Sequence, residues 1–551
     1  MFGSIISFML RAVLAVLFYA TPILGFWVAS SLAAYLGGPA WVAWAVGALL
    51  FPLIPGIWEF NAWAYRDPNK KAWFTPLDRL SLKTFAVGLT FIVALLYFYP
   101  QTAFVALSTR GDWMLDGKKD GRANEIRRDL FAAANGLEWL YRYSKKNPYR
   151  DYIDSAARKQ AEKATEQLAN QTRKEQASSK SNGASDQVDK TAIADRFGHA
   201  SDSGEKSTDD NGHDDSRQSD QDTMASTSDD DGNQTNGHDE LSENHATQIN
   251  NRYEINNKNK WPWKDPHIHP AVANMPASVE TSIKSVAKYL AAQEKDPALR
   301  IKALHDYVAD RIAYDTVAFF SNTYPSQDAE DVFRKRKGVC AGYANLLSAL
   351  AAACGEKIIV VLGNARDPNS SDKLAGGGHA WNAARVNGNW YLIDACWDAG
   401  YVSREQGFTR AYKTAYLMPP PAVMLVDHFP EETTWQLLAH PLTQGDFLRQ
   451  PVLTPGFVAD NLKLVSPTRA QNETGGAATV VVNNPDNVWL MTGLEQNGRQ
   501  LANQRQVTND KLSQLVSQLP GKGTYRMNIF ANKTSEYGQY EMVGSVDFVN
   551  R

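Results

Sequence analysis

Hydrophobic and polar residues divide this chain of 551 residues into parts of different character. Residues 1–110 are mostly apolar, residues 154–260 are mostly polar, and residues 268–551 have the mixed periodic pattern of globular domains. A chain of this length is expected to form about two to four structural units rather than one core. The pattern therefore predicts a membrane anchor, a tether and a globular portion.

Three apolar stretches make up the predicted anchor: Ala12–Leu36, Trp41–Trp58 and Thr84–Leu107. The first is long enough to cross about 30 Å of hydrocarbon. It is too long for a cleaved signal peptide, and two further apolar stretches follow it. The second is short and contains Pro52 and Pro55, so its crossing is the weakest of the three. We predict a multi-pass integral membrane segment.

Basic residues predict the orientation of this segment. The loop before the third stretch carries five of them: Arg66, Lys70, Lys71, Arg79 and Lys83. The positive-inside rule places that loop in the cytoplasm, so the third stretch would carry the rest of the chain out, in a bacterium to the periplasm. Arg110 and Arg122, which follow the third stretch, argue against this orientation.

Between the anchor and the globular portion, two segments differ in their patterns. Residues 111–153 have helically spaced apolar residues and predict a juxtamembrane helix or helical hairpin. Residues 154–260 are acidic, rich in Ser, Asn and Gly, and poor in large apolar residues, which predicts a disordered linker. The spacing of His213, His238 and His245 is irregular, so a solvated linker is favoured over a metal site.

Charge and cysteine content exclude some classes. The net charge of −3 gives no basic field for nucleic acid, so no nucleic-acid partner is expected. Three cysteines are an odd number and do not make a disulfide framework. At least one thiol therefore stays free for chemistry.

One of these cysteines stands where a thiol becomes reactive. Two predicted helices, Val279–Ala292 and Pro297–Ala313, precede Cys340, which itself begins a third helix. The unpaired N–H groups and dipole of a helix N-terminus favour the thiolate. Cys340 is thus a candidate nucleophile, whereas Cys354, at the far end of the same helix, fits a small packing residue.

A predicted hairpin brings a histidine and an aspartate together. The strand-like runs His379–Val386 and Asn389–Cys396 are joined by Asn387-Gly388, a strong signal for a two-residue turn. In that register Trp381 faces Asp394. His379 then faces Cys396 and is a diagonal neighbour of Asp394 on the same face. The sequence therefore predicts a Cys340–His379–Asp394 constellation for thiol chemistry.

Other interpretations of these residues remain open. A lone strand histidine is often structural, and an aspartate that ends a strand often caps the next turn. Asp398 is an alternative orienting acid. A zinc set of Cys340, His379 and Cys396 lacks a close ligand pair such as CxxC, so no metal is assigned and no cofactor is expected.

Three motifs carry a resemblance to a known family: Gly338-Val-Cys-Ala-Gly-Tyr-Ala, Gly378-His-Ala-Trp-Asn and Trp390-Tyr-Leu-Ile-Asp-Ala-Cys-Trp. They resemble the core of the transglutaminase-like superfamily, whose members have a papain-like fold with Cys, His and Asp in this order. Ile312-Ala-Tyr-Asp also fits. The segment His428-Phe-Pro-Glu-Glu-Thr-Thr-Trp-Gln-Leu-Leu looks like the extension of the kyphoscoliosis-peptidase branch.

The resemblance implies a role for each motif residue. Cys340 would be the nucleophile, His379 the general base and acid, and Asp394 the orienting carboxylate. The oxyanion hole would use the Cys340 backbone N–H and one upstream side chain, with Tyr324 and Gln327 as candidates. Two further residues would shape the site: Trp381 and Cys396. The family usually has threonine where this chain has Cys396, which leaves the redox behaviour of the site open.

The last hundred or so residues predict a separate β domain. From Leu462 onward, short alternating runs are separated by turn residues, as in Pro485-Asp-Asn and Gly521-Lys-Gly. This pattern is typical of an immunoglobulin-like β-sandwich. The predicted organisation is an anchor (1–110), a juxtamembrane segment (111–153), a linker (154–260), an α+β transglutaminase-like domain (268–450) and a sandwich (456–551).

These features predict a membrane-anchored thiol enzyme that acts on amides of a protein or peptide through an acyl-enzyme. Hydrolysis and transfer to an amine share that intermediate, and hydrolysis is slightly favoured because no amine-binding groove is marked. The alternative is a catalytically inactive scaffold of the same fold that binds partners at the membrane.

Overall fold

A computed structural model describes residues 2–65, 74–118, 120–194, 261–368, 374–502 and 505–551. The chain forms two compact units, one of residues 1–164 and 239–551 and one of residues 165–238. The described residues of the second unit, 165–194, are all helical. All domains discussed below belong to the first unit.

Four apolar helices form the N-terminal part: α1 (Phe2–Tyr35), α2 (Ala40–Ala48), α3 (Ile54–Ala64) and α4 (Pro76–Phe98). A π-helical turn, Leu49–Leu53, joins α2 to α3 and contains Pro52. Two described stretches, residues 40–64 and 76–98, have the length and apolar composition needed to cross a membrane. They cover the second predicted stretch and the first part of the third.

The third predicted stretch, Thr84–Leu107, is not one continuous span. Helix α4 ends at Phe98, and Pro100 begins α5 (Pro100–Arg110), because proline lacks the N–H that a continuing helix needs. Most of α5 is buried against the globular part: Phe104 packs on Tyr141 with ring centroids 4.9 Å apart. Apolar character alone could not separate a spanning helix from this packed one.

Two further helices, α6 (Gly121–Asn135) and α7 (Glu138–Ser144), lie in the predicted juxtamembrane segment. Part of the predicted linker, residues 155–194, forms the helix α8 (Ser155–Ala194). Residues 155–174 are rich in Ala, Lys, Glu and Gln, which are polar enough to resemble disorder but favour helix. Residues 195–260, with His213, His238 and His245, lie outside the described residues.

The central domain packs helices against an antiparallel sheet. In the described part of this domain the α-helices are α9 (Pro270–Ala273), α10 (Ile283–Gln293), α11 (Pro297–Arg311), α12 (Thr316–Ser321), α13 (Ala329–Lys335), α14 (Cys340–Cys354), α15 (Ala395–Ala399), α16 (Pro421–Met424), α17 (Gln444–Arg449) and α18 (Pro455–Ala459). Its strands are β1 (Ala313–Tyr314), β2 (Lys337–Gly338), β3 (Lys357–Ala365), β4 (Gly377–Val386), β5 (Asn389–Ile393), β6 (Gly400–Ser403), β7 (Gly407–Arg410) and β8 (His428–Pro430). The main sheet has the order β5-β4-β3-β8, and α14 is fully buried along most of its length against β3 and β4.

The C-terminal part is a sandwich of two sheets, as the alternating pattern predicts. Its strands are β9 (Val452–Leu453), β10 (Lys463–Ser466), β11 (Gln471–Thr474), β12 (Ala477–Asn483), β13 (Trp489–Gln496), β14 (Arg499–Leu501), β15 (Arg505–Thr508), β16 (Leu512–Gln518), β17 (Gly523–Asn532) and β18 (Glu541–Asn550). One sheet has the order β10-β12-β16-β15, and the other has β11-β18-β17-β13-β14 with β9 beside β18. Inward residues such as Val480, Leu515 and Met527 fill the space between the sheets.

Gly363, in the middle of the main sheet, lies where two other elements approach β3 closely. A Cβ atom there would overlap the Trp381 ring and the Phe429 carbonyl, whereas a Cβ at Gly377 would meet nothing within 4 Å. We expect Gly363→Ala to lower the thermal unfolding midpoint of the full chain by several degrees, because overpacking costs about 1–3 kcal/mol. Equal midpoints for Gly363→Ala and the control Gly377→Ala would contradict this packing.

Candidate active site

Cys340 is the first residue of α14, as the sequence predicts. The residue before it, Val339, is extended, and its N–H donates to Gln327 Oε1 at 2.8 Å. This bond fixes the path of the chain into the helix. Cys340 therefore sits among the unpaired N–H groups at the start of a 15-residue helix, yet only 1% of its surface is exposed.

The hairpin that carries the histidine has the predicted register. Asn387 and Gly388 both have positive φ, 49° and 86°, as this turn requires, and Val386 pairs with Asn389. Strand β5 is shorter than predicted, because it ends at Ile393. The register is confirmed, and the paired positions stop before the aspartate.

Asp394 ends the strand by capping a short helix. Its Oδ1 atom accepts hydrogen bonds from the N–H groups of Cys396, at 2.8 Å, and Trp397, at 3.1 Å. Cys396 consequently lies in α15 and not on a strand opposite His379, so that expected pairing was wrong, as was the pairing of Trp381 with Asp394. The capping role and proximity to the histidine, weighed as alternatives in the sequence, occur together.

The structure brings all three predicted residues together. His379 Nε2 lies 2.6 Å from Asp394 Oδ2, and the His379 side chain also interacts electrostatically with the Cys340 thiol. With Nε2 engaged by Asp394, the nitrogen left for the thiol is Nδ1. Imidazole thus lies between a carboxylate and a thiol, which is the arrangement that general-base activation of a nucleophile requires.

Electrostatics stabilise charge on this pair. Burial by itself lowers the pKa of His379, but the nearby Asp394 and Cys340 outweigh it and raise the pKa to about 9. Burial by itself raises the pKa of Asp394, but His379 and His428 hold that pKa below its ordinary value. Around neutral pH the pair is an imidazolium and a carboxylate, both buried.

A second histidine, which the sequence analysis noted only as part of a motif, binds the same carboxylate oxygen. His428 Nε2 lies 3.1 Å from Asp394 Oδ2, and His428 Nδ1 lies 2.6 Å from Asp427 Oδ1. Asp427 also accepts a hydrogen bond from Tyr416 at 2.7 Å. Burial by itself lowers the pKa of His428, but Asp427 and Asp394 raise it to about 9. The available signal was the place of His428 at the start of the segment that resembles the extension of the kyphoscoliosis-peptidase branch.

Three side chains of the site are also close enough together to bind a metal ion. The ligand atoms of His379, Asp394 and His428 lie within 4.8 Å of one another. This group differs from the zinc set considered from the sequence, because it contains neither Cys340 nor Cys396. Both histidines already hydrogen-bond the same Asp394 oxygen, which accounts for the closeness of the three groups without an ion.

The two upstream candidates lie near the nucleophile in different ways. Both ends of the Gln327 amide are engaged, with Oε1 on the Val339 N–H and Nε2 donating to the Pro325 carbonyl at 3.0 Å. Tyr324 donates to Asn322 Oδ1 at 3.0 Å. Gln327 therefore positions the loop before Cys340, and the Tyr324 hydroxyl is directed at Asn322.

Aromatic rings enclose the two histidines. The Trp381 ring is stacked on His379 with centroids 5.9 Å apart, and Trp397 lies 5.3 Å from His379 and 4.5 Å from His428. These rings shield the imidazoles from water, which strengthens their interaction with Asp394. Trp381 therefore forms part of the wall around His379.

The remaining cysteine and acid belong to the surroundings of the triad. Cys396 is buried, and burial together with Asp394 and Cys340 raises its pKa well above the ordinary value. All three cysteines are free. Asp398 lies 3.2 Å from His305 Nε2 and not beside His379, so it does not replace Asp394 as the partner of the candidate base.

Comparison with known proteins defines the class of these domains. Residues 284–395 match the transglutaminase-like superfamily, and residues 444–549 match the KY-like, immunoglobulin-like domain. The predicted fold class and the resemblance to the transglutaminase-like, KY-like branch are therefore confirmed. The first match ends just after Asp394 and so contains all three site residues.

The chain is similar to kyphoscoliosis peptidase of mouse, with 26% identity over 264 residues, and of human, with 27% identity over 242 residues. The matched regions cover 47% and 43% of this chain but only 40% and 36% of those proteins. A crystal structure of a TGase aligns over 32% of this chain and 41% of its own, with 17% identity and a TM-score of 0.18, which carries no argument beyond the family match.

The pKa shifts predict a pH dependence of stability. The pKa of His379 is raised in the folded chain, so its contribution is fully present below the unfolded value of about 6.5 and is lost as pH rises through about 9. We expect the thermal midpoint to fall between pH 7 and 10 more steeply in the wild-type chain than in Asp394→Asn. The exposed His267→Gln serves as a control and should keep the wild-type slope. Parallel slopes for wild type and Asp394→Asn would exclude the ion pair.

Proposed function

We propose that this chain is a transglutaminase-like thiol enzyme that attacks amide carbonyls of proteins or peptides. The arrangement of Cys340, His379 and Asp394 at a helix N-terminus carries the proposal. The family match at residues 284–395 supports the class of chemistry. The apolar helices α2 to α4 would hold the enzyme at a membrane, with its catalytic domain on the extracytoplasmic side.

The chemistry would proceed through an acyl-enzyme. In the reacting form His379 is the neutral imidazole, whose Nδ1 takes the thiol proton of Cys340, and the sulfur attacks the amide carbonyl carbon to give a tetrahedral intermediate. His379 returns the proton to the leaving amine as the C–N bond breaks. Water, or another amine, then attacks the thioester with His379 as base, and Cys340 regains its proton. The acceptor decides between hydrolysis and transfer.

The oxyanion would be stabilised mainly by backbone. The Cys340 N–H lies at the start of α14, where the helix dipole also favours negative charge. Tyr324 and Gln327 would contribute as side chains only after giving up the hydrogen bonds described above. Of the two, Tyr324 has the more easily replaced partner, because its bond to Asn322 is exposed.

Asp394 would orient His379, and His428 would keep Asp394 in place. Asp427 holds the imidazole of His428 in place, so the Asp394 carboxylate cannot rotate away from His379 without breaking its buried hydrogen bond to His428. His428 would therefore act as a positioning residue that never touches the substrate.

The alternative proposal is a binding scaffold without turnover. The 1% exposure of Cys340 favours it, because a substrate carbonyl cannot reach the sulfur in this arrangement. The two proposals differ in whether a covalent intermediate forms.

The covalent intermediate provides the test of catalysis. After incubation of the membrane-bound full chain with a peptide library, mass spectrometry should find a thioester adduct on Cys340. Cys340→Ala should abolish adduct and amide turnover, about 10⁴-fold or more for turnover, since nucleophile and base act as a unit. Cys354→Ala, a substitution at the other end of the same helix, should leave both intact. Turnover that survives Cys340→Ala would refute the proposal.

His428→Gln tests the positioning role. The substitution removes a positive charge close to His379, so the pKa of His379 should rise further and the acid limb of kcat/KM should move to higher pH. We expect kcat to fall by about 10-fold to 100-fold with little change in KM. The exposed His440→Gln is the matched control. A lower thermal midpoint with an unshifted pH profile would instead indicate a purely structural histidine.

A further inference from the structure

The nucleophile is covered by a segment of the same chain. Residues 145–154, here named the strap, connect the end of α7 to the start of α8 and pass along the edge of the candidate site. Within the strap, Arg150–Tyr152 forms a 3₁₀ turn. This segment belongs neither to the transglutaminase-like match nor to the sandwich match.

Asn147 fixes the strap on the two strands beside the site. Its Nδ2 group donates to the backbone carbonyls of Gly363 and His379, both at 2.9 Å. Its Oδ1 atom accepts from the N–H of Tyr149 at 2.9 Å, which holds the strap's own turn. All of these bonds are buried, and one of them is made to the candidate base residue itself.

Tyr149 closes the space over the thiol. It is 3% exposed, and burial, together with its interactions with Cys340 and Tyr324, raises the pKa of its hydroxyl. The rings of Tyr149 and Tyr152 lie 5.2 Å and 5.4 Å from that of Tyr324. A reacting carbonyl must approach within about 3–3.5 Å of the sulfur, and Tyr149 is the buried strap residue that interacts with Cys340.

Both ends of the strap are fastened by polar contacts. At one end, Lys145 Nζ donates to the carbonyls of Ala375, at 3.0 Å, and Gly376, at 2.9 Å. At the other end, Asn345 donates to the Tyr152 carbonyl at 2.8 Å. Between them, Arg150 forms an ion pair with Glu431. The ends are thus held by main-chain groups and cations.

These contacts describe a surface that recognises polypeptide. The domain offers carbonyls and a carboxylate to the strap's cations, and the aromatic Tyr324 to its tyrosines. Asn147 and Asn345 add hydrogen bonds from side-chain amides to main-chain carbonyls, which any polypeptide can offer. A competing segment would need the same features, a tyrosine or similar ring between flanking cationic residues.

We propose that the strap is a built-in occupant of the substrate groove, and that a polypeptide segment with an aromatic residue flanked by Lys or Arg takes its place during turnover. The inference rests on the proposed function for the meaning of the groove. The strap holds the enzyme closed, and binding of the competing segment exposes Cys340.

The test measures access to the thiol. The rate of Cys340 alkylation by iodoacetamide in the full-length chain should rise about tenfold in Tyr149→Ala and in Asn147→Ala, because each loses buried contacts that hold the strap closed. Tyr149→Phe keeps the ring and should stay largely protected. Tyr143→Ala, which alters an exposed tyrosine just before the strap, is the matched control. Equal rates in all five proteins would overturn the proposal.

A peptide added in trans tests the recognition. A synthetic peptide of residues 143–156 should slow alkylation of Asn147→Ala, and peptides with alanine in place of Tyr149, or glutamate in place of Lys145 and Arg150, should not. Protection by all three peptides, or by none, would refute the aromatic and cationic requirement. Thermal midpoints identify any variant that fails to fold, and Asn147→Ala and Tyr149→Ala act through different contacts.

Alkylation requires only access, so this experiment separates the two proposals. Accelerated alkylation without any thioester on Cys340 would support the proposal for the strap and refute the proposed enzymatic function. A thioester and turnover, together with unchanged alkylation rates, would support the proposed enzymatic function and refute the proposal for the strap.

Discussion

The carboxylate of Asp394 is the contact on which the arrangement of the site depends. It accepts four hydrogen bonds, from the imidazoles of His379 and His428 and from the N–H groups of Cys396 and Trp397. A buried carboxylate is tolerated only when it is paired and hydrogen-bonded, so each donor is held in place by the cost of leaving the charge unpaired. One side chain therefore joins the hairpin, α15 and β8.

The polar network extends well beyond this carboxylate. Tyr416 donates its hydroxyl to Asp427 and its N–H to Asp398, and Asp398 faces a further buried histidine, His305. His305 in turn contacts Asp306 at 2.9 Å. Two histidines are thus each held between two carboxylates, and Tyr416 links the two sets. Satisfied networks of this kind fix a unique geometry, and removing one member leaves the others unpaired in low dielectric.

Interactions between residues that are close in sequence made part of the candidate site predictable. Asn387-Gly388 sets the hairpin register, and the helix that Cys340 begins follows from its apolar spacing, because both depend on neighbouring residues. The partner of Asp394 at His428 depends on β8 joining the edge of β3, which no periodicity encodes. The position of the strap is even harder to predict from the sequence, because Asn147 hydrogen-bonds the carbonyl of His379, which is 232 residues away along the chain.

Burial at this site has two opposing consequences. The low dielectric that lets Asp394 raise the pKa of His379 to about 9 exists because aromatic rings and the strap exclude water. The same exclusion leaves no path for a carbonyl to Cys340. A rigid wall over the site could exclude water but could not admit a substrate. A segment held by a few side-chain contacts allows both the exclusion of water and the access of substrate. It excludes water while no substrate is bound, and it can be displaced by a polypeptide that then excludes water itself.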